Sequence, residues 1–154
     1  MIRKATLADL PGMRACAERC HAKSVYADVP PDIAAFAHTI GQCISNAFGF
    51  AMVATHDGEI TGIMLGGALP LWFSRKRYAT DIITYAETPG DGFRMIKAFM
   101  KWAWSMPSVI EITLAQSSGM DVERTGRLYE RLGLQRVGAL FTAVREPVAE
   151  EMAA

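Results

Sequence analysis

The stretch that decides the fold is DVERTGRLYERLGLQRVG, residues 121–138. Asp121 is a residue type that begins helices, because its carboxylate accepts hydrogen bonds from the first free N–H groups. Gly133 suits the position just after a helix, where the backbone takes a left-handed conformation. One side of the helix between them carries Val122, Thr125, Leu128, Tyr129 and Leu132. The pattern therefore predicts a helix with Tyr129 on its apolar side, followed by a strand.

The composition predicts one globular domain. The chain has 154 residues, of which 51% are hydrophobic and 21% charged, enough for one core and too short to argue for two. We expect residues 1–146 to form this domain and residues 147–154 to be a flexible tail. Sixteen Lys and Arg balance sixteen Asp and Glu, so no overall charge attracts nucleic acid or an anionic membrane.

The sequence also predicts a cytoplasmic protein. Its N-terminus has no apolar segment of the kind that directs secretion, and no stretch approaches the roughly 20 apolar residues of a membrane helix. Cys16, Cys20 and Cys43 are an odd number of cysteines without the paired spacing of a metal site. We therefore expect buried thiols in a reducing compartment.

A short strand over residues 1–6 and two helices are predicted before the main sheet. Asp9 can cap the first helix, whose apolar positions are Leu10, Met13, Cys16, Ala17 and Cys20. Pro30 and Pro31 cannot continue a helix. The second helix then runs from Asp32 to about Asn46, with its apolar positions at Ile33, Phe36, Ala37, Ile40, Cys43 and Ile44.

A hairpin, a strand, a helix and further strands are predicted next. Asp57 and Gly58 are the pair that a two-residue type I′ turn prefers, so residues 48–67 form the hairpin. Strands are also predicted at TDIITYAE (80–87), at VIEITLA (109–115) and, as one or two strands, at LQRVGALFTAVRE (134–146). The helix between the first two of these follows Gly92 and turns Phe93, Ile96, Phe99, Met100 and Ala103 inward.

This order, β-α-α-β-β-β-α-β-α-β, together with LYERLGLQRVG at residues 128–138, resembles the GNAT superfamily of acyl-CoA-dependent N-acyltransferases. The opening IRKATLADLPGM, residues 2–13, is similar to the usual start of such proteins, and the chain is similar to phage-encoded members. The resemblance implies an α/β (α+β) fold with a mixed, mostly antiparallel central sheet of about six to seven strands flanked by about four helices.

Tyr129 is the candidate general acid. In proteins of this superfamily the corresponding helix brings its tyrosine towards the sulfur of acyl-CoA, so the resemblance implies that role for Tyr129. A phenol with an ordinary pKa of about 10 is protonated at neutral pH and can donate a proton to a departing thiolate. The alternative is that Tyr129 only packs on the apolar side of its helix.

The loop ETPGDG, residues 87–92, departs from the superfamily pattern. The family holds the pyrophosphate on a loop written [Q/R]-x-x-G-x-[G/A], and here Glu87 stands in place of Gln or Arg. Glu87 and Asp91 would both oppose a pyrophosphate unless they are directed away from it. The resemblance implies that acetyl-CoA, as co-substrate, contacts Ile83, Tyr85, Glu87, Pro89, Gly90, Asp91, Gly92, Phe93 and Arg94.

An amine acceptor must lose a proton, and a carboxylate on the fourth strand is a common base in such enzymes. Asp81 is the candidate base and Glu87 the reserve, although either could be an ordinary exposed carboxylate. Trp72 and Phe73 precede this strand and are expected to line an acceptor or homodimer surface, or else to pack in the core. Val122 replaces an Asn that often contacts the pantetheine.

We therefore expect an N-acetyltransferase that transfers an acetyl group from acetyl-CoA directly to the amine of an unknown acceptor. No metal is expected, because the three histidines and three cysteines lack ligand spacing. The main alternative is a degenerate member of the same fold that serves as a binding or assembly module, and a small-ligand sensor is a third. An acidic cofactor loop would favour the module.

Overall fold

The computed structural model describes residues 1–143 and 145. The strands are β1 Ile2–Lys4, β2 Gly49–His56, β3 Glu59–Pro70, β4 Arg77–Ala86 and β5 Val109–Thr113. They form one sheet in the order β1-β2-β3-β4-β5, in which β4 and β5 are parallel and the other neighbours antiparallel. The helices are α1 Leu10–His21, α2 Ile33–Ser45, α3 Asp91–Trp104 and α4 Val122–Arg131.

Helix α1 confirms the predicted apolar face, of which Met13, Cys16, Ala17 and Cys20 are buried. Asp9 stands just before α1 but does not cap it with its side chain. Its carboxylate instead accepts hydrogen bonds from the Arg3 guanidinium, at 2.6 and 2.7 Å, and from the Thr6 N–H at 2.8 Å. Asp9 thus ties β1 to the 3₁₀ turn Leu7–Asp9 that leads into α1.

Helix α2 begins as predicted, because the Asp32 carboxylate accepts hydrogen bonds from the N–H groups of Ala34 and Ala35 at 2.9 and 3.1 Å. The hairpin between β2 and β3 is also confirmed. Asp57 and Gly58 have φ of 50° and 84°, the two positive values that a type I′ turn requires. Both features depend on neighbouring residues alone.

Two cores lie on opposite faces of the sheet, since alternate residues of β3 enter different clusters. Ile63 and Leu65 pack with α1 and α2, whereas Met64 packs with α3. In α3 the buried residues are Asp91, Met95, Ile96, Phe99 and Ala103. The three cysteines are buried and free, as predicted. Burial raises the pKa of Cys16 and Cys20 to about 11, so both thiols are uncharged at neutral pH.

The prediction of about six to seven strands is wrong, since the described residues form five. Residues 134–143 contain no strand. Leu140 and Phe141 are 65% and 91% exposed, so the apolar residues of this segment are not buried against the sheet, and burial of one face is what holds a strand in its register. Val137 is 92% exposed. Residues 144 and 146, and the predicted tail at 147–154, lie outside the described residues.

Helix α4 confirms the helix predicted between Asp121 and Gly133. Gly133 follows it with φ of 88°, and the Leu134 N–H donates to the Tyr129 carbonyl at 3.1 Å. Asp121 precedes the helix but makes no capping hydrogen bond with its side chain. None of the helices in the described part of the chain has the length and apolar character needed to cross a membrane.

Candidate active site

The candidate site begins where β4 and β5 stop pairing. The two strands are in register from Arg77 opposite Val109 to Thr80 opposite Thr113, where β5 ends. Strand β4 continues to Ala86. From Asp81 onward, therefore, no strand of the described residues covers the side of β4 that faces away from β3. Backbone groups on such an open edge are free to bind a ligand.

A bulge in β4 lies at the same point. Leu65 of β3 is opposite Ile83 and Gly66 is opposite Asp81, which leaves Ile82 without a partner on β3. Gly66 is required here, because a Cβ atom would lie 2.6 Å from the Thr80 carbonyl oxygen and 2.9 Å from the Phe99 ring. Bulges of this kind bend a strand and redirect its side chains, and they recur beside active sites.

Asp81 is held at this point by two hydrogen bonds. Its carboxylate accepts from the Thr84 hydroxyl at 3.0 Å and from the Ala115 N–H, just beyond the end of β5, at 3.4 Å. Burial raises the pKa of Asp81 above its ordinary value, and the two hydrogen bonds only partly oppose that rise. A carboxylate with a raised pKa is a better proton acceptor at neutral pH than an exposed one.

Tyr129 of α4 lies within electrostatic range of Asp81. Tyr129 packs half-buried against the core beneath α3, with Leu128 and Leu132. Burial raises its pKa, and the nearby negative charge of Asp81 raises it further. The hydrogen bonds of the described residues include none from the Tyr129 hydroxyl. The charge of one predicted catalytic residue therefore acts on the other, and the phenol stays protonated at neutral pH.

The loop before α3 has the backbone expected of an anion site. Gly90 precedes the helix with φ of 88°, a left-handed conformation that suits glycine. Among the backbone hydrogen bonds of the described residues, none satisfies the N–H groups of Gly92 and Phe93. Free N–H groups and the positive end of the helix dipole both favour a phosphate here. Pro89 and Phe93 are exposed beside them.

The Glu87 carboxylate forms an ion pair with a residue of α1. Arg19 donates to the Glu87 carboxylate with Nε at 2.8 Å and with a terminal nitrogen at 3.3 Å. The Tyr85 hydroxyl donates to the same carboxylate at 3.2 Å and accepts from Lys23 at 2.9 Å. The Arg19 guanidinium holds the pKa of Glu87 below its ordinary value. Glu87 is therefore part of an ion pair and is poorly placed to act as a base.

Asp91 is also neutralised inside the protein. Its side chain is 1% exposed, and it accepts hydrogen bonds from His56 Nε2 at 2.8 Å and from the Arg94 guanidinium. Burial alone would raise the pKa of Asp91, but these two bonds outweigh it and lower the pKa. The buried carboxylate fixes the end of β2 to the first turn of α3. Neither acidic residue of the loop faces a phosphate unpaired.

The remaining predicted site residues lie on other surfaces. The side chains of Ile83 and Tyr85 pack in the core with α1 and α2, so only their backbone faces the open edge of β4. Trp72 and Phe73, between β3 and β4, are 94% and 67% exposed and contact each other at 5.3 Å between ring centroids. They do not pack in the core. Their role in an acceptor or homodimer surface stays a prediction.

Sequence reasoning missed Arg19, which forms an ion pair with Glu87, and His56, which is hydrogen-bonded to Asp91. Arg19 lies between the buried Cys16 and Cys20 on α1. A long cationic side chain so close to the buried side of a helix is the sequence signal that could have identified Arg19. Val122 is exposed at the start of α4. Among the described residues, no group of three or more His, Cys, Asp or Glu side chains is placed to hold a metal ion.

Neither a protein-family model nor a curated protein matches the sequence. Solved structures, in contrast, match nearly the whole chain. A ribosomal-protein-alanine N-acetyltransferase from Brucella melitensis is 17% identical with a TM-score of 0.68, covering 95% of this chain and 99% of its own. A predicted acetyltransferase from Clostridium acetobutylicum, solved with acetyl-CoA, is 15% identical with a TM-score of 0.69, covering 94% and 95%.

An aminoglycoside 6′-N-acetyltransferase from Acinetobacter haemolyticus is 12% identical with a TM-score of 0.69, covering 96% of this chain and 99% of its own. At such identities the likeness shows a shared fold and leaves the substrate open.

Proposed function

We propose that this chain, which has the GNAT fold, is an N-acyltransferase that moves an acetyl group from acetyl-CoA to an amine. The observation that carries the proposal is that Asp81 lies where the edge of β4 opens and that its charge acts on the Tyr129 phenol. Together they provide one proton acceptor and one proton donor. Direct transfer from a thioester to an amine needs one of each.

The loop before α3 fits the pyrophosphate of this co-substrate. The N–H groups of Gly92 and Phe93 have no acceptor among the described residues, and the helix dipole adds positive charge. The acidic residues that argued against binding are paired, Glu87 with Arg19 and Asp91 with His56 and Arg94. The acidic composition of the loop is therefore no objection to binding.

Acetyl-CoA supplies a thioester, whose sulfur leaves as a thiolate that needs a proton. The amine nitrogen forms the new bond to carbon as the bond from carbon to sulfur breaks. Asp81 accepts the proton that the amine loses, and Tyr129 donates its proton to the sulfur. The two side chains then regain their starting states when one proton passes from Asp81 to Tyr129.

The electrostatic coupling of Asp81 and Tyr129 supports this order of events. The Asp81 charge is one of the two causes that raise the pKa of Tyr129. When Asp81 takes a proton from the amine, that charge disappears and the pKa of the phenol falls. Tyr129 thus becomes a stronger acid at the moment when the sulfur needs a proton.

Two measurements test the proposal. Acetyl-CoA should raise the unfolding free energy by about 2.7 kcal/mol at a hundredfold excess over Kd, which thermal unfolding reports. Thiol release from acetyl-CoA should then occur with at least one member of a panel of primary amines. Binding without turnover would support the binding module instead, and absence of both would overturn the proposal.

Arg19→Gln should lower the affinity for acetyl-CoA by up to about fivefold, equivalent to the roughly 1 kcal/mol at the upper end for exposed charges. The reason is that Glu87 loses its ion pair and its charge turns towards the loop. Calorimetric titration of acetyl-CoA into each variant measures the effect.

The double variant Arg19→Gln/Glu87→Gln is the sharpest control, because it removes both charges and should restore the affinity. Arg14→Gln is the matched single control, since Arg14 lies on the same helix and pairs only with Glu18, at 3.4 Å. If the double variant binds as weakly as Arg19→Gln, the effect comes from helix packing and the charge explanation is wrong.

A further inference from the structure

The loop between β3 and β4, residues 71–76, exposes two aromatic side chains that the proposed mechanism does not use. Trp72 and Phe73 are 94% and 67% exposed and lie edge to face, with ring centroids 5.3 Å apart and planes at 80°. Single exposed apolar residues are common, whereas a contiguous exposed aromatic pair is typical of an interaction surface.

Hydrogen bonds within the loop hold the two rings in this position. The Leu71 N–H donates to the Lys76 carbonyl at 2.9 Å, and the Ser74 N–H donates to the Leu71 carbonyl at 3.2 Å. The Lys76 N–H donates to the Ser74 hydroxyl at 3.1 Å. A loop fixed by its own hydrogen bonds loses little conformational entropy when a partner binds. The aromatic pair is therefore already arranged for binding.

Positive charge lies directly beside the rings. Arg75 and Lys76 are exposed, and neither forms an ion pair with another described residue. Arg77 follows and stacks on the Phe48 ring, with its Cζ atom 3.6 Å from the ring centroid. No acidic residue occurs at positions 60–80 of the sequence. Although the charges of the whole chain balance, this loop therefore has a local positive charge.

We propose that this loop binds the surface of an anionic lipid membrane, with Trp72 and Phe73 inserted between the headgroups and Arg75 and Lys76 at the lipid phosphates. Tryptophan is enriched at membrane interfaces, where its ring contacts hydrocarbon and its N–H contacts water. Each lysine or arginine near an anionic membrane strengthens the attraction. The inference does not depend on acetyl transfer.

The length of β4 separates this loop from the candidate active site. Asp81 follows Arg77, the first residue of β4, by four residues, which places it about 13 Å further along the strand at about 3.3 Å per residue. Trp72 and Phe73 precede the strand and are exposed, so they lie outside the site where Asp81 would act. The two rings are therefore assigned to the membrane surface and not to the acceptor.

The arrangement of charges and rings favours a lipid surface over two other partners. Two copies of the chain that met through this loop would bring the cations Arg75 and Lys76 of both copies together, and like charges in an interface repel. Single-stranded nucleic acid stacks successive bases on open aromatic faces. Trp72 and Phe73 stand at 80° to each other, so the edge of one ring covers a face of the other.

Sedimentation with lipid vesicles tests the role of the charges. The protein should bind phosphatidylcholine vesicles that contain about 30% phosphatidylserine, an anionic surface, and should bind phosphatidylcholine alone more weakly. Arg75→Gln/Lys76→Gln should lower binding to the anionic vesicles by about 25-fold, which is about fivefold for each cation. Arg127→Gln/Arg131→Gln removes two exposed charges from α4 and should have little effect. Equal loss in both double variants, or no binding by the wild type, would overturn the inference.

The same assay tests the role of the rings. Trp72→Ala/Phe73→Ala should lower binding to the anionic vesicles by about tenfold or more, because the two rings no longer leave water. Phe141→Ala is the matched control, since it removes a ring that is 91% exposed on another segment, and it should bind like the wild type. All three side chains are exposed, so both variants should fold, which circular dichroism checks. Equal binding by the two variants would show that the loop is not the binding surface.

Quenching of tryptophan fluorescence by lipids with brominated acyl chains reports insertion directly. Quenching should occur in the wild type and in Trp104→Phe, at a tryptophan that is 54% exposed at the end of α3, and should be lost in Trp72→Phe. Binding without quenching of Trp72 would contradict insertion of the rings. Tighter binding to a single-stranded oligonucleotide than to the anionic vesicles, or a dimer that Trp72→Ala dissociates, would overturn the assignment to a membrane.

Discussion

Tyr129→Phe is expected to lower the rate of acetyl transfer by about 10²–10⁴-fold, the usual contribution of a positioned proton donor. The ring and its packing against Leu128 and Leu132 are kept, and only the hydroxyl is removed. Affinity for acetyl-CoA should change little, because the lost interaction matters chiefly in the transition state. Thiol release under saturating conditions, with calorimetric titration beside it, measures both quantities.

The stability of this variant distinguishes catalysis from packing. Because the Tyr129 hydroxyl makes no hydrogen bond among the described residues, the unfolding free energy should fall by no more than the roughly 0.5–1.5 kcal/mol of one hydrogen bond. Tyr26→Phe, at an exposed tyrosine before α2, is the matched control and should retain the full rate. Equal rates in Tyr129→Phe and wild type would remove Tyr129 from the mechanism.

Asp81→Asn should lower the rate by a similar factor and, unusually for a site residue, stabilise the fold at neutral pH. Asparagine can still accept from the Ala115 N–H with its carbonyl oxygen, its NH2 group can donate to the Thr84 hydroxyl oxygen, and it carries no charge to bury. The rate falls because asparagine cannot take the proton from the amine. Thiol release and denaturant-induced unfolding at several pH values measure the two effects.

The sign of the pH dependence follows from the raised pKa of Asp81. Between the ordinary value of 3.8 and the raised value, the folded state binds more protons than the unfolded chain. Its stability therefore falls as pH rises through this range. Asp81→Asn has no carboxyl group to titrate at this position, so its stability does not fall in this way. Wild type and variant should be equally stable below pH 3.8, and above it the variant should be the more stable.

Asp28→Asn provides the matched control, because Asp28 is exposed in the segment between α1 and α2. It should change neither the rate nor the stability by an amount comparable to Asp81→Asn. A destabilised Asp81→Asn at neutral pH would show that the carboxylate is needed charged in the folded state, for instance as an unrecognised ion-pair partner, and would contradict the role of burial.

The charge of the loop before α3 shows where sequence reasoning stops. Glu87 and Asp91 are visible in the sequence as two acidic residues beside a predicted phosphate site. Arg19, which pairs with Glu87, is 68 residues away, and His56, which is hydrogen-bonded to Asp91, is 35 residues away. Interaction between charges depends on distance in space and on burial, and neither is contained in the order of residues.

The sheet also differs from what the sequence predicted, because it has fewer strands. The strands that formed as predicted are those with a local signal, such as the hairpin closed by Asp57 and Gly58. The strand predicted after Gly133 came from a run of apolar residues, but Val137, Leu140 and Phe141 are exposed in the structure, so no face of this segment is buried. Family likeness gave the expected number of strands, but the described residues form five.

By itself, the sequence determined the secondary-structure elements that depend on residues close together in the chain. Capping by Asp32, the turn at Asp57 and the helix that carries Tyr129 each depend on contacts within a few residues. Only the tertiary structure brings Asp81 and Tyr129 close enough for the charge of one to act on the other. The open edge arises because β4 continues to Ala86 after β5 ends at Thr113, and Tyr129 is held by packing of Leu128, Tyr129 and Leu132 against a core formed by residues distant in the sequence.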